Sequence, residues 1–242
     1  MSSSRSSSPN SLFSVASEAR QDVQDPQIAC RNAPDIPGLW VFPALLPDDV
    51  ARDTLNAIAA ADLFSGGERD QVMLFEGPRS LPSSTDREAP SASGGLPSYI
   101  NTLHGCLHDL LGISSKMTEE TMKMLFKQDL ARQVILNLYP PGAGITPHVD
   151  LPNRYADGII GCSLIGGCTM ILSKDDIIQR VYMPPRTVYV LSEEARWEWK
   201  HGIEGRMEDV VRTEDGGSET ILRDLRVSVT FRWMKEGADL LS

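Results

Sequence analysis

The 242-residue sequence has no run of about eighteen apolar residues, the length that a membrane-spanning helix requires. Its first residues form neither an Arg-rich amphipathic segment nor an apolar signal core, so we expect no targeting peptide. Four cysteines are present, but no two have the CxxC spacing of zinc or redox sites. We therefore expect free thiols, no membrane contact and a location in the cytoplasm, the nucleus or both.

Positive charge is also scarce, because 23 Lys and Arg stand against 33 Asp and Glu, giving a net charge of −10. A protein that grips nucleic acid along an extended face usually carries a basic stripe. The composition excludes such a stripe as a dominant feature. It leaves one local cluster of basic residues, formed by Lys116, Lys123, Lys127 and Arg132.

Apolar residues are sparse at the N-terminus, where Ser, Pro and other polar residues dominate. Such a segment cannot bury enough apolar surface to offset the entropy lost on ordering. The sequence therefore predicts a disordered Ser-rich tail over residues 1–35 and one folded domain over residues 36–242. Within that domain, residues 64–97 read as a long loop that is rich in Ser, Pro and Gly. Loops of this length are usually functional or disordered.

The second half of the chain alternates short strand-like runs with Gly and Pro turn signals, which predicts a sandwich or a barrel. The predicted strands are residues 133–139, 145–150, 158–165, 168–173, 180–183, 187–192, 196–203 and 225–233. An acidic stretch at 207–224 reads as an insertion loop. Apolar periodicity predicts helices at 48–61 and 98–112, while 117–131 fits either a helix or a loop. The predicted fold class is mostly β with flanking helices (α+β).

His148 and Asp150 are the first candidate site residues. They are two apart in a predicted strand, so their side chains point to the same face. His201, much later in the chain, is our candidate for a third ligand. Two His and one carboxylate bind three neighbouring positions of an octahedral iron(II) and leave three open for oxygen and a co-substrate. Taken alone, an HxD pair is also compatible with a surface turn.

The last predicted strand presents a polar face made by Arg226, Ser228, Thr230 and Arg232, whereas its other face is apolar. Guanidinium groups buried in a barrel are costly unless they are paired. A small dianion in the barrel would pair them, because the Arg fork binds carboxylates bidentately. Ordinary ion pairs at a strand edge are the alternative.

The order and spacing of these motifs resemble the AlkB family of iron(II)- and 2-oxoglutarate-dependent dioxygenases. The family's run Asn-x-Tyr-x-x-Gly before the HxD pair is matched by Asn137, Tyr139 and Gly142. Residues 70–75 are similar to the family's lid run, with Asp70 where Asn is usual. The resemblance covers residues 36–234. The stretches at 157–160 and 196–203 are most similar to members that act on tRNA wobble uridines.

The resemblance implies a double-stranded β-helix (jelly-roll) core whose mouth holds Fe(II) on His148, Asp150 and His201. These three residues are therefore both the metal ligands and the catalytic residues. O2 takes the last iron position, and 2-oxoglutarate is oxidised to succinate and carbon dioxide. A C–H bond of the substrate is hydroxylated, and an N-methyl group treated in this way is lost as formaldehyde.

The same resemblance implies how 2-oxoglutarate is bound. Arg226, assisted by Tyr139 and Ser228, is expected to hold the C5 carboxylate. Asn137 and Arg232 are expected near the C1 end, where the co-substrate chelates iron.

The substrate implied by the resemblance is a modified base in DNA or RNA, tRNA included. The candidate substrate contacts are Met73, Phe75, Lys123 and Lys127. The acidic composition predicts weak nucleic-acid binding by a monomer. Two other functions stay open at this point, namely the same oxygenase chemistry on a protein or small molecule, and a catalytically inactive binding module.

Overall fold

The computed structural model describes residues 13–15, 27–77 and 95–238. Its strands are β1 (Phe13–Val15), β2 (Leu39–Phe42), β3 (Gln71–Glu76), β4 (Arg132–Tyr139), β5 (Ala143–His148), β6 (Ile159–Ile165), β7 (Cys168–Lys174), β8 (Ile177–Met183), β9 (Val188–Leu191), β10 (Lys200–Ile203), β11 (Glu208–Arg212), β12 (Ser218–Leu222) and β13 (Arg226–Trp233). Its α-helices are α1 (Asp48–Ala60), α2 (Ser98–Gly112), α3 (Glu119–Phe126) and α4 (Glu193–Trp197).

The strands form two larger antiparallel sheets and a separate hairpin. The major sheet has the order β2-β9-β6-β13-β4-β3, the minor sheet has the order β1-β5-β10-β7-β8, and β11 pairs with β12. Apolar side chains from both sheets pack together in one buried cluster that includes Val41, Met170, Leu172 and Leu191. The predicted mostly-β fold with flanking helices and a jelly-roll core is therefore confirmed.

Helices α1, α2 and α3 cover the other face of the major sheet. The first turn of α1 holds Asp48 and Asp49, where the helix dipole favours acids. The N-cap of α3 is Thr118, whose hydroxyl accepts a hydrogen bond from the Thr121 amide at 3.1 Å. Leucines of α2 pack against Val229 and other residues of β13 in a second buried cluster. Because that face of β13 is occupied by helices, its polar face must point between the two sheets.

Three predicted elements near the site differ from the structure. The predicted strand 196–203 is wrong at its start, because Arg196 and Trp197 end α4, and β10 begins only at Lys200. Glu193 and Glu194 lie in the first turn of α4, where the helix dipole favours acids. The predicted strand 145–150 ends at His148, so Asp150 lies in the following loop. The predicted insertion loop 207–224 is wrong, because β11 and β12 pair there across a turn.

The predicted tail boundary at residue 35 is also wrong. Ala29 is fully buried, and its amide donates to the Val210 carbonyl at 2.8 Å. The Cys30 amide donates to the Arg180 carbonyl at 3.0 Å. This short segment therefore links β8 to β11 and has backbone partners in both strands. The polar composition of the N-terminus did not reveal these partners. Residues 13–15 pair with β5. Residues 1–12 and 16–26 of the predicted tail lie outside the described residues, as do residues 78–94 of the predicted loop.

Within the described residues, no helix combines the length and the apolar composition needed to cross a bilayer.

Candidate active site

Strand pairing brings the three candidate metal ligands together. His148 ends β5, His201 lies in β10, and the two residues are direct partners across the antiparallel pair. Their ring centroids are 4.6 Å apart. The carboxylate of Asp150, in the loop after β5, completes the group, and one ligand atom from each residue lies within 4.8 Å of the others.

The protonation states of this group suit a metal. Desolvation lowers the pKa of His201 to about 4, so its imidazole is neutral at pH 7 and has a free lone pair. Desolvation alone would raise the pKa of Asp150, but the neighbouring guanidinium of Arg232 is the largest of the opposing influences, and the pKa is lowered overall. The carboxylate therefore stays ionised although it is only 6% exposed.

The orientation of His148 also suits a metal. Its Nδ1 lies 2.8 Å from the Thr146 carbonyl oxygen, which fixes Nδ1 as the hydrogen-bond donor and leaves Nε2 with the lone pair. Nε2 lies 3.8 Å from Oδ1 of Asp150. Two imidazoles and one carboxylate on one wall of an open pocket form the donor set of non-haem Fe(II) oxygenases. The residues present therefore fit Fe(II).

Arg226 supplies a buried cation deeper in the pocket. Its Nε donates to the Ser163 hydroxyl at 3.1 Å and its NH1 to the Ser228 hydroxyl at 3.2 Å. Its guanidinium lies 5.1 Å from the centre of the Tyr139 ring. Among the described residues, no carboxylate lies within ion-pair distance of Arg226. Such a site favours an anionic ligand, because a buried cation without a counter-charge is costly.

Neighbouring groups keep this deep end cationic and hydrogen-bonding. Burial opposes the charge of Arg226, yet Cys168 and Tyr139 raise its pKa above the ordinary value. Burial raises the pKa of Tyr139, so its phenol stays protonated and can donate a hydrogen bond. A fixed guanidinium, a phenol and the Ser228 hydroxyl match the needs of the C5 carboxylate of 2-oxoglutarate.

Arg232 lies in the pocket wall, but its nitrogens donate to protein groups. Nε donates to Oε1 of Gln133 at 2.8 Å, NH2 donates to the Tyr155 hydroxyl at 3.2 Å, and NH1 donates to the carboxylate of Asp150. Its guanidinium also lies 3.7 Å from the centre of the Tyr155 ring. This arrangement makes Arg232 a support for the metal ligand Asp150. It leaves Arg226 as the cation that faces the deep end of the pocket.

The pocket between the sheets has a cavity volume of about 60 Å³ and opens to solvent at its mouth. It is lined by the three metal ligands and by all five residues predicted to bind the co-substrate, Asn137, Tyr139, Arg226, Ser228 and Arg232. Sequence reasoning missed other wall residues as site residues, namely Gln71, Ile145, Ile159, Met170, Tyr189 and Thr230. Even spacing on β13 placed Thr230 on the polar face of that strand without predicting a role for it, whereas Gln71 and Tyr189 depend on strand register.

Tyr189 reaches the pocket because its partner across the strands is Gly161. A Cβ on Gly161 would lie 2.1 Å from Cζ of Tyr189, so no other residue leaves room for this ring. Gln71 is placed by the pairing of β3 with β4, where its Nε2 donates to Oδ1 of Asn137 at 2.9 Å. The edge strand β3 is thereby tied to the pocket wall.

The candidate substrate contacts divide into two groups. Met73 and Phe75 lie on the same face of β3 as Gln71 and are 45% and 39% exposed. They therefore form an apolar patch beside the pocket. Lys123 and Lys127 do not line the pocket, and Lys123 lies 2.8 Å from the carboxylate of Glu119.

Arg132 is not part of a surface basic cluster. It is 3% exposed, its Nε lies 3.6 Å from the Glu76 carboxylate, and its guanidinium lies 4.5 Å from the centre of the Trp233 ring. The reason is pairing, because Arg132 and Trp233 face each other in β4 and β13. The prediction that Arg132 belongs to a surface cluster of basic residues is therefore wrong.

Comparison with known proteins agrees with this site. The model of the 2OG-Fe(II) oxygenase superfamily matches residues 42–232. The chain is 34% identical over 135 residues to the uncharacterized protein L905 of Acanthamoeba polyphaga mimivirus, covering 52% of this chain and 62% of that protein. It is 30% identical over 243 residues to the Arabidopsis thaliana alkylated DNA repair protein ALKBH8 homolog, covering 92% and 65%.

A third relative is the Xenopus tropicalis tRNA (carboxymethyluridine(34)-5-O)-methyltransferase alkbh8, which is 30% identical over 165 residues, 62% of this chain and 23% of that protein. The chain thus spans less than two thirds of the length of each of these relatives. Among solved structures, OsALKBH1 superposes with a TM-score of 0.53 at 18% identity, covering 81% of this chain and 98% of that one, which supports the fold. The chain belongs to the 2OG-Fe(II) oxygenase superfamily, as an AlkB-like dioxygenase that uses Fe(II), 2-oxoglutarate and O2.

Proposed function

We propose that the protein hydroxylates a modified base in RNA, with tRNA as the first candidate. The single observation that carries the proposal is the exposed pair Met73 and Phe75. Both lie beside the pocket, on the same face of β3 as the wall residue Gln71. Flat bases stack well on exposed apolar and aromatic side chains, each base contributing about 1–3 kcal/mol. The relative named as a tRNA methyltransferase adds support for tRNA.

The chemistry follows from what each residue does. Fe(II), 2-oxoglutarate and O2, when bound, supply the oxidant that hydroxylates a C–H bond of the substrate. His148, Asp150 and His201 would hold the metal, and Arg226 would orient the co-substrate through its distant carboxylate. The apolar wall residues Ile145, Ile159 and Met170 limit the water near the metal.

Access to the pocket favours a base outside a helical stack. A base in a duplex must be unpaired and unstacked before it enters a pocket, at a cost of a few kcal/mol. A loop base avoids most of that cost, which favours single-stranded or loop RNA. With a net charge of −10, the protein is expected to bind RNA weakly and to lose affinity as salt rises.

The second candidate is the same oxygenation of a protein or a small molecule. The observation that favours it is the scarcity of available positive charge, since Arg132 is buried and Lys123 is already next to an acid. In that case Met73 and Phe75 would contact an apolar side chain or ligand instead of a base.

Nucleoside mass spectrometry tests the proposal. RNA and DNA from cells that lack the protein are treated with the purified protein, Fe(II), 2-oxoglutarate and O2, with the His201→Ala protein as control. We expect a modified nucleoside to fall, and its oxidised or demethylated product to rise, in the tRNA fraction only with the unaltered protein. Consumption of 2-oxoglutarate without any nucleoside change or oligonucleotide binding at low salt would favour a protein or small-molecule substrate.

A further inference from the structure

Arg196 is an arginine that the metal triad and the co-substrate site do not explain. It lies on α4 and is only 2% exposed, among the largest fully buried side chains of the described chain. A buried guanidinium is retained only where its donors are satisfied, because removing the charge from water is costly. Its hydrogen bonds therefore indicate what it holds.

All three side-chain hydrogen bonds of Arg196 within the described residues go to backbone carbonyls of one loop. NH1 donates to the Asp150 carbonyl at 3.0 Å, NH2 to the Tyr155 carbonyl at 3.1 Å, and Nε to the Ala156 carbonyl at 3.3 Å. One planar fork thus fixes both ends of the loop that begins at Asp150. The guanidinium is held in turn by the Trp197 ring, 4.2 Å from its centre.

The position of Arg196 in the chain connects this loop to the other metal ligand. The helix that carries Arg196 leads into β10, which contains His201. Asp150 follows β5, which contains His148. Arg196 therefore joins the loop of the carboxylate ligand to the segment that leads to the second imidazole, and the β5–β10 pairing alone does not make that connection.

Two arginines act on different parts of Asp150. Arg232 bonds to its carboxylate, whereas Arg196 bonds to its backbone carbonyl. The first contact sets the charge and direction of the carboxylate, and the second sets where the residue stands relative to His201. Groups that orient metal ligands in this way typically change metal affinity roughly tenfold to a hundredfold when they are removed.

We propose that Arg196 is a positioning residue of the iron site, which fixes the Asp150 loop at the distance from His201 that the metal requires. The proposal rests on the iron site of the superfamily and not on the identity of the oxidised substrate. It gives Arg196 no contact with metal, co-substrate or substrate.

Metal affinity of the metal-free protein tests this role without catalysis. Mn²⁺ is used in place of Fe(II) because it does not oxidise readily in air. It is titrated by calorimetry into the parent, Arg196→Lys and Arg196→Met proteins. We expect Arg196→Met to bind Mn²⁺ roughly tenfold to a hundredfold more weakly. We expect Arg196→Lys to bind roughly fivefold more weakly, because a single ammonium cannot reach three carbonyls in the geometry of the fork.

Arg186 offers a matched control, since its NH1 also donates to a backbone carbonyl, that of Leu46, at 3.0 Å and away from the pocket. Arg186→Lys and Arg186→Met are expected to leave Mn²⁺ affinity within about twofold of the parent, even if their resistance to urea falls. Amide hydrogen exchange should speed up at residues 151–157 in the Arg196 variants only.

Arg196→Lys carries the test if Arg196→Met does not fold. A folded Arg196→Lys protein that binds Mn²⁺ within twofold of the parent would overturn the proposal. Equal losses of Mn²⁺ affinity in the Arg196 and Arg186 variants would also overturn it, because they would reflect general destabilisation.

Discussion

His148 and His201 stand directly opposite each other on neighbouring antiparallel strands, with their rings 4.6 Å apart. Directly opposite residues on one face of a sheet have Cβ atoms about 4.5–5.5 Å apart, which suits two ligands of one metal. The register of β5 and β10 therefore brings together two ligands that are far apart in sequence. A change of one residue in this register would turn one imidazole to the other face of the sheet.

The metal ligands should differ in their effect on stability. His148→Ala and Asp150→Ala should both abolish succinate formation. His148→Ala should leave the free energy of unfolding nearly unchanged, because its side chain is 23% exposed. Asp150→Ala should lower it by about 3–5 kcal/mol, because it leaves Arg232 buried without its carboxylate. Urea unfolding of both variants measures this difference. Normal succinate formation in either variant would contradict the assignment of the metal site.

The polar face of β13 was predictable from the sequence because two physical demands coincide there. The strand lies in the centre of the major sheet between β4 and β6, so both of its faces are buried. Helices take the apolar face, and the alternation of Arg226, Ser228 and Arg232 then has to face the pocket. The same reasoning applies to Asn137 and Tyr139 on β4, which pairs with β13.

The rest of the site depends on pairings that local sequence does not encode. Gln71 enters the wall only through the register of β3 against β4. Arg196 lies in a stretch that resembled a strand, and its three carbonyl partners come from a distant loop. Arg132 looked like a surface cation, but its partner across the strands is Trp233, which covers it.

The co-substrate anchor gives a second prediction. Arg226→Lys keeps the charge but loses the fork that donates to Ser163 and Ser228. Loss of a hydrogen bond to a charged group costs roughly 1.5–3 kcal/mol, so KM for 2-oxoglutarate should rise more than about tenfold. Ser228→Ala should raise it less, because the guanidinium remains. Initial rates of succinate formation against 2-oxoglutarate concentration measure both values, and an unchanged KM in Arg226→Lys would place the anchor elsewhere.

The boundary of the N-terminal segment gives a third prediction. Deletion of residues 1–35 removes the backbone bonds of Ala29 and Cys30 to β8 and β11. Ala29 and Cys30 make four such bonds, because each donates one and each accepts one, from Arg212 and Tyr182 respectively. Each bond contributes about 0.5–1.5 kcal/mol, so the free energy of unfolding should fall by roughly 2–6 kcal/mol. Deletion of residues 1–26 is the matched control and should cost clearly less. Equal stability of the two truncated proteins in urea would show that residues 27–35 contribute nothing to the fold.

The close contact of Gly161 with Tyr189 gives a fourth prediction. Gly161→Ala places a Cβ 2.1 Å from Cζ of Tyr189, so the ring must move within the pocket. Overpacking of this kind costs about 1–3 kcal/mol, and KM for 2-oxoglutarate should change as the wall is displaced.

Gly105→Ala in α2 is the control for that change, because nothing lies within 4 Å of its added Cβ. Alanine should stabilise this helix by about 0.5–1 kcal/mol. If Gly161→Ala is as stable as the parent and has the same KM, the ring of Tyr189 does not occupy the position described.

The apolar patch beside the pocket gives a fifth prediction. Replacing Met73 and Phe75 together with Ser removes the surface on which a base would stack, at about 1–3 kcal/mol per stacked base. Turnover of the RNA substrate at low concentration should fall by at least about tenfold, measured as product nucleoside formed per succinate released. Ile177 and Ile178 are a matched pair, each 52% exposed, outside the pocket wall, and their replacement with Ser should leave that ratio unchanged.

Charge reversal at Lys123 and Lys127 tests the other part of the substrate surface. Lys127→Glu should weaken RNA binding and reduce its salt dependence, because each phosphate contact contributes to the slope. Lys123→Glu should act less, since the parent Lys123 already lies beside Glu119. Fluorescence anisotropy of a labelled tRNA loop at several salt concentrations separates the contributions of the two lysines to RNA binding. If neither lysine variant changes binding while the Met73 and Phe75 variant abolishes turnover, recognition depends on stacking at the pocket and not on this basic surface.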